Sequence, residues 1–164
     1  MVKTLLVGLR ASAYMTGSLL FFAWLAFRVR ALGRVLQVTF PYGVEIPGIV
    51  MMVAGGVLGL ACASTFIVRG RGTPAPFDAP REFVANGPYR YVRNPMYVGG
   101  LLLLAGFGLY EHLISILLMA LVLLLVVHVM VIFYEESTLR KLFGATYEDY
   151  CGSTARWIPA RIRR

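Results

Sequence analysis

Residues 83–99, FVANGPYRYVRNPMYVG, place arginines, tyrosines and a proline directly before an apolar segment. The adjacent glutamates Glu135 and Glu136 follow the next long apolar segment. Ionisable groups and irregular backbone are costly at membrane depth, so a helix bundle does not need them merely to be stable. A short turn joins the two apolar segments, which brings both features to the same edge of the protein. We therefore interpret residues 83–99 and the glutamate pair as parts of one site.

The composition is that of an integral membrane protein. Hydrophobic residues make up 59 % of the 164 residues and charged residues 15 %, whereas soluble proteins have roughly 45–50 % and 25 %. The net charge of +8 is typical of a cytoplasmic membrane face that attracts anionic lipid headgroups, and we expect no nucleic-acid partner. The cysteines, Cys62 and Cys151, give neither a disulfide framework nor metal-ligand spacing, so we expect no metal. Cys151 also has no obvious activating neighbour in the sequence.

Four apolar segments predict an all-α integral membrane protein with about four transmembrane helices. A full span takes roughly 20 apolar residues. Gly55, Gly56 and Gly59 in the second segment suit close approach of another helix. A tight turn at 110–112 makes the last two segments an antiparallel hairpin. The predicted segments are 11–27 (extended back to Leu5 or starting at Ala11), 46–68, the short 96–109, and 113–134.

The chain is interpreted as one membrane domain, residues 1–164. Residues 1–80 hold the first two spans and a Pro/Gly-rich linker, and residues 81–164 hold the functional core. Residues 139–150 have the spacing of an interfacial amphipathic helix, bent at Gly144, which we expect to roof a recess. Most lysines and arginines fall on the side of the two ends, which predicts a multi-pass inner-membrane protein with both termini in the cytoplasm.

The start of the third segment predicts a ligand recess. Asn94 is a strong N-cap and Pro95 suits the first helical position. The segment that follows is shorter than the hydrocarbon core, so its start should lie below the membrane surface. Free N–H groups there, together with Arg93, favour an anionic group. Tyr89 and Tyr97 offer aromatic faces for a purine or a sulfonium.

The second long segment carries the acidic part of the site. Counting outward from the hairpin turn places His128 level with the recess, and Glu135 lies nearer the cytoplasm on almost the same helix face. His128 either hydrogen-bonds across helices or transfers a proton, and the sequence leaves both open. Glu136 precedes Arg140 by four residues, a spacing that also suits a surface ion pair.

Three of these stretches together carry a family resemblance. Residues 87–99 (GPYRYVRNPMYVG), 135–150 (EESTLRKLFGATYEDY) and 156–159 (RWIP) resemble the isoprenylcysteine carboxyl methyltransferase and phospholipid methyltransferase superfamily. The resemblance covers about residues 83–159. It implies S-adenosylmethionine-dependent methyl transfer to a lipid or small hydrophobic acceptor at the cytoplasmic membrane face. It also implies an enzyme without a soluble Rossmann domain, and no strand followed by G-x-G-x-x-G occurs here.

The resemblance also implies which residues hold S-adenosylmethionine. Arg93 is added from its position beside the recess, and His128 and Glu135 are the catalytic candidates if the acceptor must lose a proton. Two departures bear on the acceptor: Asn94 and Val131 stand where eukaryotic prenylcysteine enzymes have a histidine and a substrate-facing arginine. Asn94 replaces an imidazole contact with an amide, and the missing arginine at Val131 weakens the case for a prenylcysteine carboxylate substrate. The cofactor contacts implied by the resemblance are Arg81, Glu82, Phe83, Val84, Tyr89, Asn94, Pro95, Met96, Tyr97 and Glu135, with Glu136 in the same acidic pair.

Two other interpretations remain open from the sequence. Membrane sterol and enone reductases have a similar carboxyl-terminal bundle and bind NADPH. A non-catalytic membrane protein with a lipid-headgroup site would also explain the arginines and tyrosines. The identity of the acceptor, the need for a general base and the oligomeric state are not determined by the sequence.

Overall fold

The structure is a computed structural model that describes residues 13, 16–17, 20–31, 33, 43–65 and 83–159. Within these ranges every regular element is helical, and the single β-bridge joins Val92 to Ala155. The predicted all-α class is therefore confirmed for the described chain. The helices are α1 (20–31), α2 (Glu45–Thr65), α3 (Pro95–Tyr110), α4 (Ile114–Met130), α5 (Glu136–Phe143) and α6 (Ala145–Ser153), with a 3₁₀ turn at Gly87–Arg90 and a π turn at Val131–Glu135.

Among the described residues, two helices are long and apolar enough to cross a membrane. They are α2, with 21 residues, and the continuous helix Ile114–Phe143, with 30 residues. Helix α3 is apolar but has only 16 residues, which confirms the predicted short third segment. The predicted first segment, 11–27, lies partly outside the described residues, so a total of four spans stays a prediction.

Helices α2 and α3 pack backbone against backbone. A Cβ atom on Gly55 would lie 2.5 Å from the carbonyl oxygen of Gly99, and one on Gly106 would lie 2.5 Å from that of Gly48. No side chain fits between helices at that distance, because real Cβ atoms do not approach backbone so closely. The predicted role of Gly55 is confirmed. A Cβ on Gly56 would meet nothing within 4 Å, so Gly56 faces away from α3.

Helices α3 and α4 form the predicted hairpin. Helix α3 ends at Tyr110 and α4 begins at Ile114. His112, in the turn, has a φ of 58°, and the N–H of Leu113 donates to the Gly108 carbonyl at 2.9 Å. Two contacts secure this turn to the other helices: an ion pair from Arg30 Nε to Glu111 Oε2 at 2.8 Å, and a histidine–carboxylate contact from His112 Nε2 to Glu45 Oε1 at 3.0 Å.

The fourth helix is longer than predicted. The sequence prediction ended it at residue 134, but the helix runs through the π turn to Phe143. Glutamates do not interrupt helical hydrogen bonding, so the change from apolar to polar composition does not end the helix. Gly144, with a φ of 52°, does end it, and α6 begins at Ala145. The predicted break at Gly144 is confirmed.

Candidate active site

The carboxyl-terminal segment is held against the start of α3. The N–H of Arg93 donates to the Ala155 carbonyl at 2.8 Å, and the N–H of Asn94 donates to the Arg156 carbonyl at 3.3 Å. The Asn94 side chain adds a bond from Nδ2 to the same oxygen at 3.2 Å. These bonds bring residues 154–157, which lie beyond α6, to the start of α3.

Helix α3 begins at Pro95 as predicted, but the predicted capping role of Asn94 is wrong. The Asn94 side chain makes no capping bond, and the residue has a ψ of 51° rather than an extended value. A side-chain N-cap needs extended backbone, and here the amide is already bonded to Arg156. The first N–H groups of α3 therefore lack the cap that the sequence suggested.

Glu136 is the centre of a buried ion cluster. Its carboxylate lies 2.7 Å from Arg156 Nε, 3.1 Å from Arg93 Nη1 and 3.6 Å from Arg140 Nη2. The predicted pair with Arg140 forms, but Glu136 is only 3 % exposed and the other two arginines are closer. The hydrogen bond to Glu136 raises the pKa of Arg156. The cluster joins three parts of the chain: the segment before α3, helix α5 and the carboxyl-terminal segment.

Glu135 faces a different partner. Tyr97 donates its hydroxyl hydrogen to Glu135 Oε2 at 3.1 Å, and in the described part of the chain no arginine pairs with this carboxylate. The π turn Val131–Glu135 lies directly before Glu136, and a π turn winds less per residue than an α turn. Both glutamates therefore point towards the start of α3, one to Tyr97 and the other to Arg93.

An apolar wall lies beside this polar pair. Val84, Tyr89 and Cys62 are buried together, with Met96 packed against them. Tyr150 donates its hydroxyl hydrogen to the carbonyl of Tyr89. Burial raises the pKa of Tyr89 well above its ordinary value, so the phenol stays neutral. The structure thus brings three of the predicted cofactor residues into contact.

Phe83 connects this wall to the last two helices. Its ring centroid lies 5.4 Å from that of Phe143, 5.9 Å from that of Tyr147 and 5.1 Å from that of Tyr150. Edge-to-face aromatic pairs of this kind hold elements in a defined orientation. Arg81 and Glu82, the two residues before Phe83 that were predicted to bind the cofactor, lie outside the described residues.

His128 contacts the carboxyl-terminal segment that is bonded to the start of α3. Its Nδ1 accepts a hydrogen bond from Trp157 Nε1 at 3.0 Å. Trp157 directly follows Arg156, whose carbonyl binds Asn94, so the chain links His128 to the start of α3. The contact is one of the two alternatives that the sequence left open for His128, a hydrogen bond to another segment.

Sequence reasoning missed Arg156, Trp157 and Cys151 as site residues. Arg93 Nη1 donates to Cys151 Sγ at 2.9 Å, a contact made only because α6 folds back onto residue 93. The RWIP stretch was a usable signal for the first two residues, since it formed part of the family resemblance. Nothing in the sequence around Cys151 indicates its arginine neighbour.

A comparison with known families agrees with this geometry. Residues 44–146 match the family model described as phospholipid methyltransferase, a stretch that covers well over half of the chain. No match to a curated protein was found. The matched stretch contains α2, α3, α4, α5 and both glutamates, whereas Arg156 and Trp157 lie beyond it. The predicted resemblance is confirmed: the chain belongs to the phospholipid methyltransferase family.

Proposed function

We propose that the protein transfers a methyl group from S-adenosylmethionine to a lipid or small hydrophobic acceptor at the cytoplasmic face of the membrane. The family to which the chain belongs supports methyl transfer to lipid-type substrates. The observation that carries the choice of cofactor is the pairing of Tyr97 with Glu135, 3.1 Å apart, at the uncapped start of α3. Glu135 has no cationic partner among the described residues, and the first N–H groups of α3 beside it have no side-chain cap. This combination suits a ligand that carries both a positive and a negative charge.

The side chains present fit S-adenosylmethionine. Its cationic amino and sulfonium groups match Glu135, because no arginine in the described part of the chain neutralises that carboxylate. Its carboxylate matches the N–H groups of the first turn of α3, where the helix dipole favours negative charge. Arg93 and Glu136 are bonded to each other. We therefore assign them the role of holding the recess in shape, rather than that of direct cofactor contacts.

When bound, S-adenosylmethionine supplies an activated methyl group on a positively charged sulfur. The chain's own contribution is positioning and exclusion of water, which together supply much of the rate enhancement in such displacements. Glu135 and Tyr97 orient the cofactor on the polar side of the site. The apolar wall around Tyr89 excludes water on the opposite side. If the acceptor is an amine that must lose a proton, Glu135 lies where it can accept one.

The length of α3 supports entry of the acceptor from the lipid. Its 16 residues extend about 24 Å at 1.5 Å per residue, less than the roughly 30 Å hydrocarbon core. We place its uncapped end below the cytoplasmic surface, with α5 and α6 roofing the recess at the interface. In this arrangement the protein is multi-pass in the inner membrane, with four spans and both termini in the cytoplasm.

Direct binding tests the cofactor assignment. We expect purified protein to bind labelled S-adenosylmethionine in equilibrium dialysis, and Glu135→Gln and Tyr97→Phe to weaken binding by about tenfold, the loss of one hydrogen bond to a charged group. Two variants serve as matched controls, because each makes the same change at an exposed side chain outside the Tyr97–Glu135 pair. Tyr110→Phe alters the exposed far end of α3, and Glu148→Gln alters a carboxylate that is 57 % exposed.

The proposal fails if wild-type protein binds NADPH and not S-adenosylmethionine, as the reductase interpretation requires. It also fails if the protein binds neither, as a headgroup-binding protein would. Incubation with methyl-labelled cofactor and a host lipid extract then identifies the methylated acceptor. A methylated product that is neither a lipid nor a small hydrophobic molecule would overturn the acceptor class while leaving the cofactor assignment intact.

A further inference from the structure

The contact between Trp157 and His128 determines which histidine nitrogen carries the proton. Trp157 Nε1 lies 3.0 Å from His128 Nδ1. An indole N–H group only donates hydrogen bonds, so Nδ1 must be the acceptor and has no proton of its own. A neutral imidazole has one N–H group. In this arrangement the proton of His128 is therefore on Nε2.

Trp157 is held in place from the residue before it. The carbonyl oxygen of Arg156 accepts bonds from the backbone and side chain of Asn94, and the guanidinium of Arg156 binds Glu136 at 2.7 Å. The indole also packs against the imidazole, with 5.9 Å between ring centroids. Arg156, the residue before Trp157, is thus anchored by backbone bonds and by the ion cluster. This anchoring suits the Trp157 side chain to holding His128 in one tautomer.

The other nitrogen of His128 remains available. Among the described residues, none forms a hydrogen bond with Nε2. His128 is half-buried, whereas its α4 neighbours Leu125 and Val129 are 57 % and 54 % exposed. Its imidazole therefore lies at the boundary between the recess and the lipid-facing side of α4, where an acceptor lipid would enter.

On the basis of the proposed function, we infer that Trp157 is a positioning residue that holds His128 as the Nε2–H tautomer. His128 then donates a hydrogen bond to an oxygen of a phospholipid headgroup. With Nδ1 occupied by the indole and Nε2 already protonated, His128 does not remove a proton from the acceptor. The phospholipid itself is taken from the family, and what the tautomer adds is its orientation through a headgroup oxygen. Proton removal, where it is needed, falls to another group.

The tautomer of His128 can be measured by NMR, without an assay of methyl transfer. The chain has only two histidines, so ¹⁵N-histidine labelling gives a simple NMR spectrum, and His112→Asn assigns the signals. We expect wild-type His128 to show a protonated Nε2 and an unprotonated Nδ1. Trp157→Phe keeps an aromatic ring but removes the donor, and should give a mixture of tautomers. Trp24→Phe, which changes the other tryptophan at an exposed position on α1, should leave the spectrum as in wild type.

Turnover distinguishes a donor from a base. Glutamine can donate a hydrogen bond from about the position of Nε2 but cannot accept a proton as a base, and leucine can do neither. We expect His128→Leu to lose about tenfold in kcat/KM for the phospholipid, the value of one hydrogen bond, and His128→Gln to lose clearly less. Trp157→Phe should also reduce kcat/KM for the phospholipid while the affinity for S-adenosylmethionine stays unchanged.

Three results would overturn the inference: a proton on Nδ1 in wild type, no spectral change in Trp157→Phe, or equal turnover in the glutamine and leucine variants. The failure of the proposed function is distinguishable from these, because wild-type protein would then not bind S-adenosylmethionine. The NMR result would still stand in that case, since it depends on the protein alone.

Discussion

Glu135 and Glu136 are adjacent in sequence but have different surroundings. Glu136 is enclosed by Arg156, Arg93 and Arg140, and Glu135 is bonded to the neutral hydroxyl of Tyr97. A carboxylate among arginines stabilises the fold by neutralising their charges, whereas a carboxylate without a cation stays available to a cationic ligand. We therefore expect a structural role for Glu136, and Glu135 is the residue to which the proposed function gives a binding role.

Replacing Glu136 tests the structural role. Glu136→Gln leaves Arg93 and Arg156 without their counter-charge, and removing one partner of a buried ion pair costs about 3 kcal/mol. We expect a marked fall in the thermal unfolding midpoint of the protein in detergent. Glu148→Gln is the control: Glu148 pairs with Arg140 at 2.8 Å but is 57 % exposed, so its loss should cost at most about 0.5 kcal/mol. Equal losses in both variants would show that the cluster does not stabilise the fold.

At the scale of the elements, the α2–α3 pair determines where the recess opens. Gly55 and Gly99 let the two backbones touch, which positions the start of α3 against the buried Cys62 and Val84. The π turn before α5 then presents both glutamates to that start. The close contact at Gly55 and Gly99 and the π turn both depend on backbone geometry. Substitutions that add little volume and leave the hydrophobicity unchanged can therefore disrupt them.

Alanine substitutions at neighbouring glycines separate packing from helix propensity. In Gly55→Ala the new methyl group would lie 2.5 Å from the Gly99 carbonyl oxygen, so the helices must move apart, at a cost of about 2 kcal/mol. In Gly56→Ala nothing lies within 4 Å, and the gain in helix propensity should stabilise the protein by up to about 1 kcal/mol. Thermal unfolding in detergent measures both. Effects of the same sign would contradict the packing described for α2 and α3.

At the scale of the whole molecule, the polar site and the hairpin turn lie at opposite ends of α3. The proposed orientation puts the site and α6 on the cytoplasmic side, and the turn at residues 111–113 on the other side. Asp149, on α6, and Tyr110, at the far end of α3, are both exposed. They offer one reporter position for each side of the membrane.

Cysteine labelling tests this orientation. In a variant with Cys62→Ala and Cys151→Ser, we expect a membrane-impermeant maleimide to label Tyr110→Cys in intact cells. Asp149→Cys should be labelled only in inside-out vesicles, because the positively charged side of a membrane protein stays in the cytoplasm. The reverse pattern would overturn the orientation. Labelling of both positions from one side would instead show that the far end of α3 and helix α6 do not lie on opposite sides of the membrane.

The sequence by itself determined most of the helices and several of their ends, but not the extension of the fourth helix to Phe143. Pro95 starts α3, Gly144 ends α5 and a short turn closes the hairpin, because each depends on the allowed φ and hydrogen bonding of residues within one helical turn. Family membership was equally readable, since its motifs are contiguous. Arg81 and Glu82 stay predictions, because they lie outside the described residues.

Only the tertiary structure decided the partners of the site's side chains. Asn94 reads as a cap, yet its amide binds Arg156, a residue 62 positions away. The spacing of Glu136 and Arg140 suits a surface ion pair, yet Glu136 is buried by arginines from two distant segments. Cys151 and Trp157 reach the site only because α6 and the segment after it fold back. A polar side chain takes the partner that packing places within hydrogen-bond distance, and packing depends on contacts that no local pattern contains.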